Sequence, residues 1–180
     1  MVKVVICGDC GSKTLTRAVV GACSAYGGAV VIDGDRIYQT CEEPKYLIFV
    51  MCTLADLYLP GSIVVFGKAL MQIQKNINLN DTICVLDSDN SDAVAIIGAS
   101  GARAIGCSMS GPDTLSISGF TDENTALVSL RRSIKTAGGI VEPHDFIVRT
   151  DKGLPVYPIL AASAVLLSGG TVNEGKGITF

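Results

Sequence analysis

Val2 to Thr16 constrains this chain more than any other stretch. Val2 to Cys7 (VKVVIC) is a short β-branched run of the kind that forms a buried strand. Gly8 to Gly11 breaks the run. Thr14 to Tyr26 then reads as a helix, with Leu15, Ala18, Val19, Ala22 and Cys23 on one face. A strand that passes through glycines into a helix start presents backbone amides, and the positive end of a helix dipole, to whatever lies at the turn. The segment Gly8-Asp9-Cys10-Gly11-Ser12-Lys13-Thr14 has the residue types of a phosphate-binding loop. Gly8 and Gly11 let amides approach an anion, Ser12 and Lys13 follow, Lys13 can reach terminal phosphates, and Thr14 can offer a hydroxyl to magnesium. The usual pattern, GxxxxGK[ST], has glycine where Ser12 stands and a first glycine where Cys7 stands. The alternative is a glycine-rich turn with an exposed lysine that binds nothing.

Beyond the loop, apolar runs and helical patterns take turns. Gly27-Gly28 ends the first helix, and Ala29 to Ile32 is a second strand followed by a solvated acidic loop holding Asp33, Asp35, Glu42 and Glu43. Tyr46 to Cys52 is apolar throughout, as in a central strand covered on both faces. Ser62 to Phe66 is a strand, Gly67 to Asn76 a helix, Thr82 to Leu86 a strand, Ser91 to Ser100 a helix, and Arg103 to Cys107 a strand. This rhythm predicts a mostly parallel sheet with helices on both faces. The pattern changes after residue 110. Thr114 to Phe120 and Thr125 to Ile134 alternate like antiparallel strands, and Gly138-Gly139 leads to Ile140 to Arg149, a hairpin partner that Pro143 interrupts. Pro155 to Ser168 is a final helix closed by Gly169-Gly170. The expected fold is α/β, P-loop-like, with antiparallel strands in the C-terminal third. With 180 residues and no linker, residues 1–180 form one domain.

Charge narrows the partners. The net charge is −3, with a pI near 5.1, so no electrostatic footprint for nucleic acid is present. A small anion such as a nucleotide remains compatible, because a loop binds it locally. No run reaches the ~20 apolar residues needed to span a bilayer, and no signal peptide is evident, so a cytoplasmic protein is expected. The seven cysteines, Cys7, Cys10, Cys23, Cys41, Cys52, Cys84 and Cys107, mostly sit in apolar runs and are read as reduced, buried small hydrophobes. Cys7 and Cys10 form a CxxC at a strand–helix junction, which leaves a thiol redox role as a minor alternative.

Three segments, taken in order, resemble the central, ATP-binding domain of the Mur ligases, a family that includes cyanophycin and folylpolyglutamate synthetases. They are GDCGSKTLTRAV with the following VVIDGDRIY, then TICVLDSDNSDAVAIIGASGARAIGC, and LPVYPILAASAVLLSGG. The resemblance implies ATP and magnesium as cofactors, with Lys13 and Thr14 on phosphates and Thr14 on the metal. It places Asp87, Asp89 and Asn90 beside the adenosine part. It implies amide formation through an acyl phosphate. The chain departs from the family where the metal ligands belong. IFVMCTL has no carboxylate, Ser62 to Lys68 has no histidine, and Tyr157-Pro158 stand in place of His-Asn. Phosphoryl transfer depends on metal clamping, so the expected protein is a degenerate nucleotide-binding domain without the full ligase reaction. The alternative is a non-catalytic interaction module that no longer binds nucleotide. A homo-oligomer or a partner protein is expected in either case.

Other residues have bland readings beside the functional ones. Asn90 or Ser91 can simply cap the helix from residue 91. His144 and Asp145 form a proton-transfer pair only if a nucleophile lies near them. Arg131 and Arg132, if in a strand, point to opposite faces. Arg17 lies one turn into the first helix, where a solvated position competes with a phosphate contact.

Overall fold

A computed structural model describes residues 1–11, 13–52, 59–68, 78–109, 111–136, 138–150, 153–172 and 177–180. The elements, in chain order, are β1 (Val2–Cys7), α1 (Thr14–Ala25), β2 (Ala29–Asp33), β3 (Arg36–Gln39), β4 (Tyr46–Met51), β5 (Ile63–Phe66), β6 (Ile83–Asp87), α2 (Ser91–Ser100), β7 (Arg103–Ser108), β8 (Leu115–Asp122), β9 (Thr125–Leu130), β10 (Ile134–Thr136), β11 (Gly139–Val141), β12 (His144–Arg149), α3 (Val156–Ser168) and β13 (Ile178–Thr179). Eleven of the strands make one sheet in the order β13-β12-β9-β8-β7-β6-β5-β1-β4-β2-β3. From β2 to β8 the neighbours run parallel through β4, β1, β5, β6 and β7. The β8–β9 and β9–β12 pairs are antiparallel. The mixed α/β fold, parallel first and antiparallel in its last third, is as expected.

The pleat divides the core in two. Val4 and Ile6 of β1 join Ile48 and Val65 on the face covered by α1 and α3, while Val5 and Cys7 join Val64, Phe66, Cys84 and Leu86 on the face covered by α2. Alternate residues of a strand point to opposite faces, and β-branched residues on both sides suit a strand buried on both. α3 is buried along nearly its whole length, which explains its almost uniformly apolar sequence. It packs on α1. Among the described residues, no helix is long and apolar enough to cross a membrane.

Several expectations change. The predicted acidic loop is a hairpin: Asp33 closes β2, and β3 pairs back antiparallel, Asp33 opposite Arg36. Gly34, at φ 63°, makes the tight reversal. The predicted strand Thr125 to Ile134 stops at Leu130. Arg131 and Arg132 therefore lie beyond it, so the opposite-faces reading does not apply, and the Arg131 side chain donates to Ser116 Oγ at 2.7 Å. Ile140 to Arg149 is two strands split at Pro143, which cannot donate to a ladder. β11 makes a two-stranded ribbon with β10, and β12 returns to β9. Of Tyr46–Met51 only Tyr46 and Ile48 are buried, so the strand is less covered than expected. The predicted helix Gly67 to Asn76 falls largely on residues 69–77, outside the described residues.

Candidate functional site

Seven neighbouring strands, from β2 to β8, run parallel, and their carboxyl edge is where ligands on open α/β sheets bind. The turn from β1 to α1 lies there. Gly8 takes φ 81°, and its amide donates to Met51 O at 3.0 Å at the end of β4. Gly67, just past β5, donates to Cys7 O at 2.6 Å. A Cβ on Gly67 would stand 2.5 Å from Gly8 O, so only glycine lets these two backbones approach so closely.

A cavity of ≈ 550 Å³ opens at this edge, and Gly8, Gly11, Thr14, Asp87 and Asp89 all line it. Five residues singled out from the sequence, more than seventy positions apart at the extremes, thus share one space. Asp9, Lys68 and Tyr157 line it with them. The remaining candidates behave differently. Ser12 lies outside the described residues. Lys13 is the residue before α1, in the left-handed conformation (φ 53°), and its ammonium is 2.6 Å from Asp33 Oδ2. Asn90 caps α2, its Oδ1 accepting from Ala93 N at 3.2 Å, while its Nδ2 donates to Gly67 O at 3.0 Å.

The start of α1 is already occupied by a carboxylate. Asp9 Oδ2 accepts from the amide of Thr16 at 2.7 Å, as a phosphate oxygen at a helix N-terminus would. Beside it, Cys10 is disulfide-bonded to Cys52, which follows β4, with Cα atoms 5.4 Å apart. The expectation that all seven cysteines are reduced and buried is therefore corrected. Cys10 and Cys52 are paired, and Cys41 is exposed. The Cys7–Cys10 redox pair is corrected as well. Cys7 ends a buried strand, and burial, with Cys84 adding a smaller push, raises its thiol to about 12. A thiol so protonated is inert.

The cavity wall includes a residue that the sequence flagged only as a departure. Tyr157, in the first turn of α3, is buried and donates to Phe66 O and Val85 O. Burial, together with the nearby Cys107, Asp87 and Asp9, pushes its phenol well above the ordinary value. It therefore acts as a neutral tie between α3 and the ends of β5 and β6. The signal was Tyr157 standing two residues after Pro155, at a helix start that faces the strand ends.

Asp9, Asp87 and Asp89 give the cavity hard oxygen donors, which suit magnesium better than a softer metal. Among the described residues no three His, Cys, Asp or Glu side chains converge on one point to cage a metal. Magnesium commonly keeps several waters and binds through one or two protein oxygens plus phosphate oxygens, a demand that Asp9 with the Thr14 hydroxyl can meet without Asp87 and Asp89. His144 is remote from such chemistry in kind: its Nδ1 meets Glu142 O at 2.7 Å, and the strand alternation turns Asp145 to the other face.

No family model matches the sequence, and no curated protein does. Solved structures do match. A UDP-N-acetylmuramoyl-L-alanyl-D-glutamate–2,6-diaminopimelate ligase aligns at TM-score 0.61 and 12% identity, over 94% of this chain and 44% of that one. MurF ligase from Thermotoga maritima, solved in complex with ADP, aligns at TM-score 0.56 and 12% identity, over 96% and 46%. MurF from Acinetobacter baumannii aligns at 0.56 and 11%, over 96% and 44%. The fold is Mur-ligase-like. The chain spans less than half the length of these structures.

Proposed function

We propose that residues 1–180 form a nucleotide-binding domain of the Mur-ligase central type that has lost the full ligase reaction. The observation that carries this is the cavity at the carboxyl edge, where the glycine loop, Thr14 and two aspartates from the far side of β1 face one space. The ADP bound by the MurF of similar fold supports a nucleotide as the ligand. In this reading Gly8 and Gly11 admit the phosphates, Lys13 leaves Asp33 to reach them, and the Thr14 hydroxyl would help hold a magnesium ion, which would neutralise phosphate charge. Asp87 and Asp89 take the nucleoside side. The lack of a carboxylate in IFVMCTL and of a histidine in Ser62 to Lys68 argues against amide formation at an enzymatic rate. The protein acts in the cytoplasm, as a homo-oligomer or beside a partner protein.

Calorimetry with ATP and GTP, with and without magnesium, tests the reading on oxidised and reduced protein. Magnesium-dependent binding that weakens about tenfold in Lys13→Ala is expected. Absence of binding at millimolar nucleotide in both states rejects it. A second reading, an interaction module that binds no nucleotide, draws support from one observation: Asp9 and Asp33 already partner the groups a phosphate would use.

A further inference from the structure

We propose that the Cys10–Cys52 bond is a redox latch that holds Asp9 over the start of α1, and that its reduction opens the helix N-terminus to an anion. The inference rests on reading the cavity as a phosphate site, and adds how that site is regulated.

The bond is placed to act on the loop and little else. Cys10 is half-buried in the turn, Cys52 is exposed, and the two join segments 42 residues apart. One end is anchored: Cys52 directly follows β4, whose last residue, Met51, accepts the Gly8 amide and pairs with Cys7. The other end is Asp9's immediate neighbour. With Cys10 tethered to the sheet, the Asp9 backbone has little freedom to turn its carboxylate away from Thr16 N, 2.7 Å distant. An incoming anion must compete with a carboxylate that is held in place rather than merely nearby. Preorganisation of this kind favours the tethered partner strongly over one free in solution. A second contact, Lys13 with Asp33, engages the loop's cation, so Asp9 and Lys13 are both held by the protein itself.

Only one thiol pair on the loop can do this. Cys7, three residues before Cys10, is too buried and too strongly protonated to exchange with it. Cys52 is open to a reagent. A small dithiol attacks one sulfur of the bond as thiolate, forms a mixed disulfide, and leaves as its own cyclic disulfide. Two electrons and two protons pass to Cys10 and Cys52, which end as thiols. Disulfides that form in a reducing compartment are typically of this transient kind.

The experiment compares the full chain after mild oxidation and after dithiothreitol. Peptide mapping reads the bond, hydrogen exchange reads the amides of Thr14 to Thr16, and calorimetry with magnesium–ATP reads affinity. Expected are a Cys10–Cys52 cross-linked peptide only in the oxidised sample, at least tenfold faster exchange at Thr16 after reduction, and at least tenfold tighter ATP binding. Cys10→Ser and Cys52→Ser should each match reduced wild type in both conditions. Asp9→Ala should bind ATP equally in both, because the latch then holds nothing over the helix. No cross-link under oxidation, exchange that ignores redox state, or tighter binding in the oxidised form overturns the latch. Redox-dependent exchange with no ATP binding in either state upholds the latch and rejects the nucleotide.

Discussion

At the junction of β6 with α2, Asn90 caps the helix from the adjoining position, and Asp92 adds an acid to its first turn. At the junction of β1 with α1, the adjoining residue is Lys13, which has no capping side chain and a left-handed backbone. The cap there comes from Asp9, across the loop. Both helices start at the same edge of the same sheet. The first is closed by the residue beside it, the second from further off, by a carboxylate with an exposed ion pair and a disulfide around it. A helix start built for packing and one built for exchange differ in how local their caps are.

The largest effect tests what the two junctions share. Cys7 at the end of β1 and Cys84 in β6 lie in one apolar cluster, and burial raises them to about 12 and about 11. An unfolded thiol ionises near 9.0, so the folded state keeps its protons longer. The contribution is intact below about pH 9 and is lost as pH rises towards 11 to 12, at roughly 1.4 kcal/mol per pH unit for each thiol. Thermal melts should show Tm falling between pH 9 and 11, and falling less steeply in Cys7→Ala/Cys84→Ala. Equal slopes would place these thiols in water.

Gly67 touches both junctions, its carbonyl on Asn90 and its Cα against Gly8. Gly67→Ala should cost about 1–3 kcal/mol through overpacking against backbone, read from a denaturant midpoint. An unchanged midpoint would separate the junctions. Asn90→Ala should cost about 1 kcal/mol, the usual value of a lost N-cap, and leave the Thr16 amide as protected as before. Asp9→Ala should cost less, about 0.5 kcal/mol, because water can replace a partly exposed cap. If Asp9→Ala proves the costlier change, the contrast between the two junctions is reversed. The smallest effect belongs to Asp33→Asn. An exposed ion pair contributes about 0.2–1 kcal/mol, and 0.5 M salt should erase the difference in stability from wild type.

The difference in locality also explains what was legible in the sequence. Ser91–Ser100 was readable to the residue because its cap and its stop, Asn90 and Gly101, are adjacent to it. The central parallel strands were readable because short β-branched runs, bounded by glycine and turn residues, suit strands of this length. β3 was not, since Arg36–Gln39 is exposed at every position and is held only by pairing with β2. Five cavity residues were found because a loop and a strand end advertise themselves by composition. The Lys13–Asp33 pair, the Asp9 cap and the Cys10–Cys52 bond were not found, because each depends on how far the loop folds back. No spacing encodes that distance. CxxC pointed to Cys7 as the partner of Cys10, and burial in β1 removed it.

α1 and α3, the two helices that pack together on one face, begin more than 140 residues apart in the chain. Contacts so distant in sequence slow folding, because the loop between them must close before either helix gains from the other. Until α3 docks, the apolar face of α1 lacks one of its partners. Refolding should therefore be slow for a chain of this size, and in the cell a holding chaperone would find its handle on the first helix rather than the last.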